Sequence, residues 1–192
     1  MKTILTVAFL FFLMSVSSQT LIPDAVKIKT AFEKLSVEPD NKQFQKNYIT
    51  AFPSDTKTFL SVFQTEKFDQ LYSESDKYLD TLEQCATTFP VEVISKCINI
   101  GKNLVWDADA VGQLQKISVR IDVRYTSYFV SKYRKLNKKE QDRLINFYAD
   151  VENHRVYKSY QDLIDKLNSV GQMDISKKLE IARINRKLQK ND

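Results

Sequence analysis

Asp150, Glu152 and His154 are the side chains of this 192-residue sequence whose types and spacing come nearest to a reactive group. If one helix ran through them, Asp150 and His154 would lie four apart on a shared face, where a carboxylate and an imidazole can pass a proton or grip a metal. His154 is the sole histidine, so any Ser-His-Asp or Cys-His arrangement has to include it. A metal there would need two or three further ligands, and no motif supplies them. The plainer reading is a solvated helix end, with no cofactor. Asp107 and Asp109 are a second pair of carboxylates, but residues two apart on a helix do not face each other. Asp107 as N-cap, Asp109 in the first turn and a staple between Trp106 and Val111 account for them. With three glycines in the chain there is no glycine-rich phosphate loop. Catalysis, if any, is confined to a carboxylate, tyrosine or lysine mechanism, such as an envelope hydrolase acting on a glycan or peptide through Asp150, Glu152 and His154.

The stronger signal is for binding. Six of the nine tyrosines fall between Tyr125 and Tyr160, interleaved with Arg124, Lys132, Arg134, Lys135, Lys138, Lys139 and Arg143. Bases stack on aromatics and phosphates pair with cations, so such a stretch can bind single-stranded nucleic acid. Two features argue against that: a leader for export, and an acidic N-terminal half. Residues 19–115 carry 10 Lys+Arg against 14 Asp+Glu, net −4, whereas residues 116–192 carry 18 against 10, net +8. Tyrosines that bury a ring and wet a hydroxyl need no ligand. The expected partner is therefore a protein with an acidic surface, steered to Lys132, Arg134, Lys135, Lys138, Lys139 and Arg143. The C-terminal segment places Arg183, Arg186, Lys187 and Lys190 on one side and Ile181, Ile184 and Leu188 on another. It is expected to dock on its own domain and keep a basic face.

The leader is read from Lys2 followed by Ile4–Met14, an apolar run of about eleven residues, too short to cross a bilayer comfortably. Val16-Ser17-Ser18 fits a cleavage site before Gln19, making residues 1–18 a signal peptide and 19–192 one domain. The junction has no cysteine for a lipid anchor, and no later run suits a transmembrane helix. An exported protein, periplasmic or secreted, is expected. In an oxidising compartment Cys85 and Cys97, twelve apart, can bridge two antiparallel helices, a bond worth about 3 kcal/mol. The spacing is equally compatible with two free thiols.

Positioning all of these groups falls to helices. Three Gly and four Pro are too few for a turn-rich β fold. Apolar residues recur at helical spacing in Ala25–Leu35, Gln43–Phe52 and a third helix capped by Ser54. The pattern continues from Asp69 to Thr88 and from Val91 to Leu104, whose inner face is Val93, Ile94, Cys97, Ile98 and Ile100. Ile117, Val119, Ile121, Val123 and Tyr125 alternate like a strand, but no second alternating run exists to pair with them. The expectation is a helix from Asp107 to about Ser118, a break, and another from Asp122, its cap, to Leu136. Asn137 and Glu140 form a capping-box pattern for the next helix. Ser159 opens another, Gly171 closes it, and Asp174 caps the last. The sum is an all-α single compact domain of about eight to ten short and medium helices.

The segment WDADAV at 106–111, the run Leu144-Ile145-Asn146-Phe147-Tyr148 and the Phe52-Pro53 turn resemble a group of uncharacterised exported all-helical proteins of Gram-negative bacteria. The likeness covers roughly Phe44 to Leu179. It implies the helical fold and an envelope location and assigns no functional residues; the loop at 150–155 lacks the Gly-Pro associated with that position in the group. The function expected from these observations is an exported binding protein, for example an immunity-type protein that holds a toxin. The alternatives are the hydrolase above and a carrier of an apolar ligand in an internal cavity.

Overall fold

The computed structural model describes residues 21–64, 70–104, 109–150 and 154–189, and for 109, 154–157 and 187–189 the backbone alone. The described residues form ten α-helices and no strand: α1 (Pro23–Val37), α2 (Lys42–Ala51), α3 (Thr56–Phe63), α4 (Ser75–Cys85), α5 (Pro90–Gly101), α6 (Asp109–Arg124), α7 (Thr126–Tyr133), α8 (Lys138–Ala149), α9 (His154–Ser169) and α10 (Met173–Gln189). A single 3-10 turn at Tyr72–Glu74 leads into α4. None of these helices is long and apolar enough to cross a membrane. The signal peptide 1–18, Trp106 and Asp107 lie outside the described residues, as do the side chains of Asp109, Glu152, His154, Lys187, Leu188 and Lys190.

Local chemistry sets most boundaries. Asn41 caps α2 by accepting from the Gln43 and Phe44 N–H groups, and Pro53 follows directly where that helix stops. Asp55, not Ser54, caps α3: its carboxylate accepts from the Thr58 N–H at 2.9 Å, and that hydrogen bond holds its pKa below the usual carboxylate range. Gly171, at φ +75°, ends α9 in the left-handed conformation that a side chain would disfavour.

The core runs through two aromatic clusters joined by α6. Phe32, Tyr48, Phe52, Phe59, Phe63 and Tyr78 from α1 to α4 form a chain of ring contacts in the N-terminal half, with centroids 4.8–6.5 Å apart. Phe129, Tyr133, Phe147 and Tyr148 of α7 and α8 form the other. Between them α6 packs on α4, α5, α7, α8 and α9. Leu114, Gln115, Ile117, Ser118, Val119, Ile121 and Asp122 are all buried, so this helix has several inward faces. That position explains the strand-like alternation, because a helix covered on most sides can carry apolar residues at any offset. It also corrects the expected break at 118–122. The helix continues to Arg124 and yields to α7 only at Tyr125, and Asp122 is an interior residue instead of a cap.

Other boundaries and side-chain placements are settled by the packing, and Asp174 lies inside the first turn of α10 instead of capping it. α9 begins by His154, five residues before Ser159. On α10 the side that docks is Ile175, Leu179 and Ala182, while Ile181 and Ile184 face solvent. Cys85 and Cys97 are buried free thiols and form no disulfide. They end in different neighbourhoods: Cys85 lies near Tyr48 of α2, and Cys97 lies beside Ser118, Asp122 and Tyr148. Burial pushes both thiols up to about 12, so neither is a nucleophile at neutral pH.

Candidate functional site

The basic residues singled out in the sequence gather around α8. Its start is fixed by a complete capping box: the Asn137 side chain accepts from the Glu140 N–H at 3.0 Å, and Glu140 accepts from the Asn137 N–H at 3.1 Å. Lys138 and Lys139 therefore occupy the exposed first turn. From there Lys139, Arg143, Asn146 and Asp150 recur at intervals of four, three and four, which aligns them in one stripe along the helix. Leu144, Ile145 and Tyr148 face inward and hold the helix on the core.

The six predicted binding residues separate by what they already touch. Arg134 donates to Asp174 at 2.9 Å and to Gln172 at 2.7 Å, pinning the turn after α7 to the start of α10. Lys138 lies 3.9 Å from Asp142, a loose exposed pair. Lys132, Lys135 and Lys139 have no ion pair or hydrogen bond to a side chain among the described residues. These three lysines bracket the α7–α8 turn, and they form a basic corner. Arg143 stands apart, because its guanidinium reaches away from the corner and donates to Asn103 after α5, at 2.9 Å.

At the far end of the stripe, α5, α8 and α10 enclose a half-open cleft of about 400 Å³. Lys102 and Asn103 enter it from the end of α5, Arg143 and Asn146 from α8, and Arg186 from α10, over an apolar floor that includes Phe147. Lys102 donates to Glu140 at 2.8 Å, and this pair, with the capping hydrogen bond, lowers the Glu140 pKa. Gly101 allows α5 to approach α8 this closely: a Cβ there would sit 2.7 Å from the Phe147 ring.

Of the three residues considered for catalysis, Asp150 is in the cleft wall. It is buried, its carboxylate accepts from Arg186, and its carbonyl accepts from the Gln115 side chain at 2.9 Å. Gln115 donates to the Phe147 carbonyl as well, at 2.6 Å, so one buried amide closes the end of α8. The side chains of Glu152 and His154 lie outside the described residues. No group of three or more His, Cys, Asp and Glu side chains that could hold a metal occurs among the described residues.

Sequence reasoning missed a second polar group. Tyr148 donates to the Asp122 Oδ2 at 2.6 Å inside the core, and the Asp122 Oδ1 has no partner. Burial pushes the Asp122 pKa up to about 8 and that of Tyr148 well above its usual value. Both groups are enclosed, so they have no route to a reactant. The available signal was an acid in the middle of the apolar run 117–123. For the cleft it was weaker: Lys102 and Asn103 stand at the end of an apolar run, and Arg186 belongs to the basic side of the C-terminal segment.

No family model, curated protein or solved structure is similar to this chain.

Proposed function

We propose that this protein is an exported binding protein of the cell envelope that receives an acidic protein on the corner between α7 and α8. An immunity-type protein holding a toxin is one concrete form of that role. The observation that carries the reading is the placement of Lys132, Lys135 and Lys139, which are surface cations without a carboxylate partner. Lys138 and Lys139 also sit in the first turn of α8, at the positive end of the helix dipole, where a cation costs about 0.3–1 kcal/mol. Helix stability therefore does not account for them, which supports a role for their charge at the surface. Asp150 serves to hold Arg186, which favours binding over hydrolysis.

The test is affinity capture from the native envelope and medium at low and moderate salt, with the wild type and a Lys132→Glu, Lys135→Glu, Lys139→Glu variant as baits. A partner at near-equal stoichiometry that weakens with salt and is lost with the variant is the expected result. A partner retained equally by both baits would end the assignment to this corner. Export is checked separately, by N-terminal sequencing of the envelope or secreted form, which should begin at Gln19.

A further inference from the structure

We infer that the cleft between α5, α8 and α10 is a second binding site, for a small organic monoanion with a carboxylate and an apolar body. Cations from three different elements converge on it: Lys102, Arg143 and Arg186. Among the described residues the carboxylates paired with them are Glu140, with Lys102, and Asp150, with Arg186. Among the described residues three cations face two carboxylates, an excess of one positive charge, and Arg143 is the cation with no carboxylate hydrogen-bonded to it: it donates to the neutral amide of Asn103 and feels Glu140 only through space. Because the Asn103 oxygen receives that hydrogen bond, its NH2 group is left to donate to a ligand, alongside the remaining guanidinium hydrogens of Arg143. A carboxylate matches this planar fork of donors.

Two features narrow the ligand further. The Asp150 carboxylate in the wall repels a second negative charge, so a dianion such as phosphate is disfavoured relative to a monoanion. The apolar lining is Leu104 and Phe147, both mostly buried and so fixed in place, with Gly101 close against the Phe147 ring. An apolar body can lie on it. The volume of about 400 Å³ falls in the usual range for small-molecule sites. This site is independent of the basic corner. Either can fail without the other.

Calorimetric titration of the purified protein with naphthalene-2-carboxylate, decanoate and N-acetyltryptophan tests the site, with naphthalene-2-carboxamide and inorganic phosphate as comparators. At least one of the three carboxylates should bind at one site, with the carboxamide and phosphate each at least about tenfold weaker than the best of them. Arg143→Gln removes a cation and Asn146→Asp adds a negative charge to the lining, both at exposed positions where the fold should be kept; each should weaken that carboxylate by about tenfold or more. Lys135→Glu should leave the affinity within twofold. The site is overturned if no carboxylate saturates at millimolar concentration, if the carboxamide or phosphate binds as tightly, or if both cleft variants stay within twofold of the wild type.

Discussion

Asp122 shows how much one side chain can set. It is enclosed, its carboxyl accepts a single hydrogen bond among the described residues, from Tyr148, and its pKa is raised from 3.8 to about 8. Between those values the folded chain keeps a proton that the unfolded chain has released. The stability it contributes is therefore complete below about pH 4, falls as pH rises towards 8, and is level above that. Asp122→Asn has nearly the same shape and no charge. Urea unfolding between pH 5 and 9 should show a falling stability for the wild type, a flatter profile for the variant, and the variant above the wild type at pH 8. Parallel profiles would mean that Asp122 is not a buried carboxyl. The thiols give a second check on the same interior. With Cys85 and Cys97 free and buried, a thiol reagent should find neither in the native protein and both after unfolding without reductant. A disulfide would give none in either state. The twelve-residue spacing admitted both arrangements, because spacing does not fix which way two side chains turn.

Helix α8 joins local sequence logic to tertiary purpose. Its capping box was legible because Asn137 and Glu140 satisfy each other within one turn, and the same is true of Gly171 at the end of α9. What was not legible depended on neighbours. The unbroken α6 was hidden because its burial by five other helices erases amphipathic periodicity. The cleft was hidden because Lys102, Arg143 and Arg186 meet only when α5, α8 and α10 pack. Asn137→Ala removes the acceptor for the Glu140 N–H and should cost about 1 kcal/mol, read from the urea midpoint. Gly101→Ala acts on the packing of the same helix. Its methyl group would press on Phe147, which is 3% exposed and backed by Tyr148 at 5.5 Å between centroids, so the ring has little room to yield. An overpacking cost of about 1–3 kcal/mol is expected in the same measurement. A neutral result would show that α5 can withdraw from α8.

The uneven charge of the two halves is plain in the sequence. Part of it is spent inside the fold. Arg120 and Arg124 on α6 both donate to Glu83 on α4, tying the basic half to the acidic one across the centre of the molecule. Arg134 to Asp174 and Arg186 to Asp150 fasten α10 in the same way. Sequence could count these charges but could not say which were already matched. Of the predicted set, Arg134 is held in an internal pair and Arg143 is bonded to Asn103, which leaves Lys132, Lys135, Lys139 and the loosely paired Lys138. Glu83 is the clearest test of internal pairing, because its side chain is only 14% exposed and two guanidiniums converge on it. Glu83→Gln keeps the shape and removes the charge that both arginines face. It should destabilise the fold by about 1–3 kcal/mol with an unchanged denaturant slope, and the deficit should shrink in high salt only in the share owed to the more exposed Arg124. The same variant should leave capture of an acidic partner at the α7–α8 corner unaltered. If it weakened both equally, the two halves would not be separate in their roles, and the charge asymmetry would have to be treated as one field.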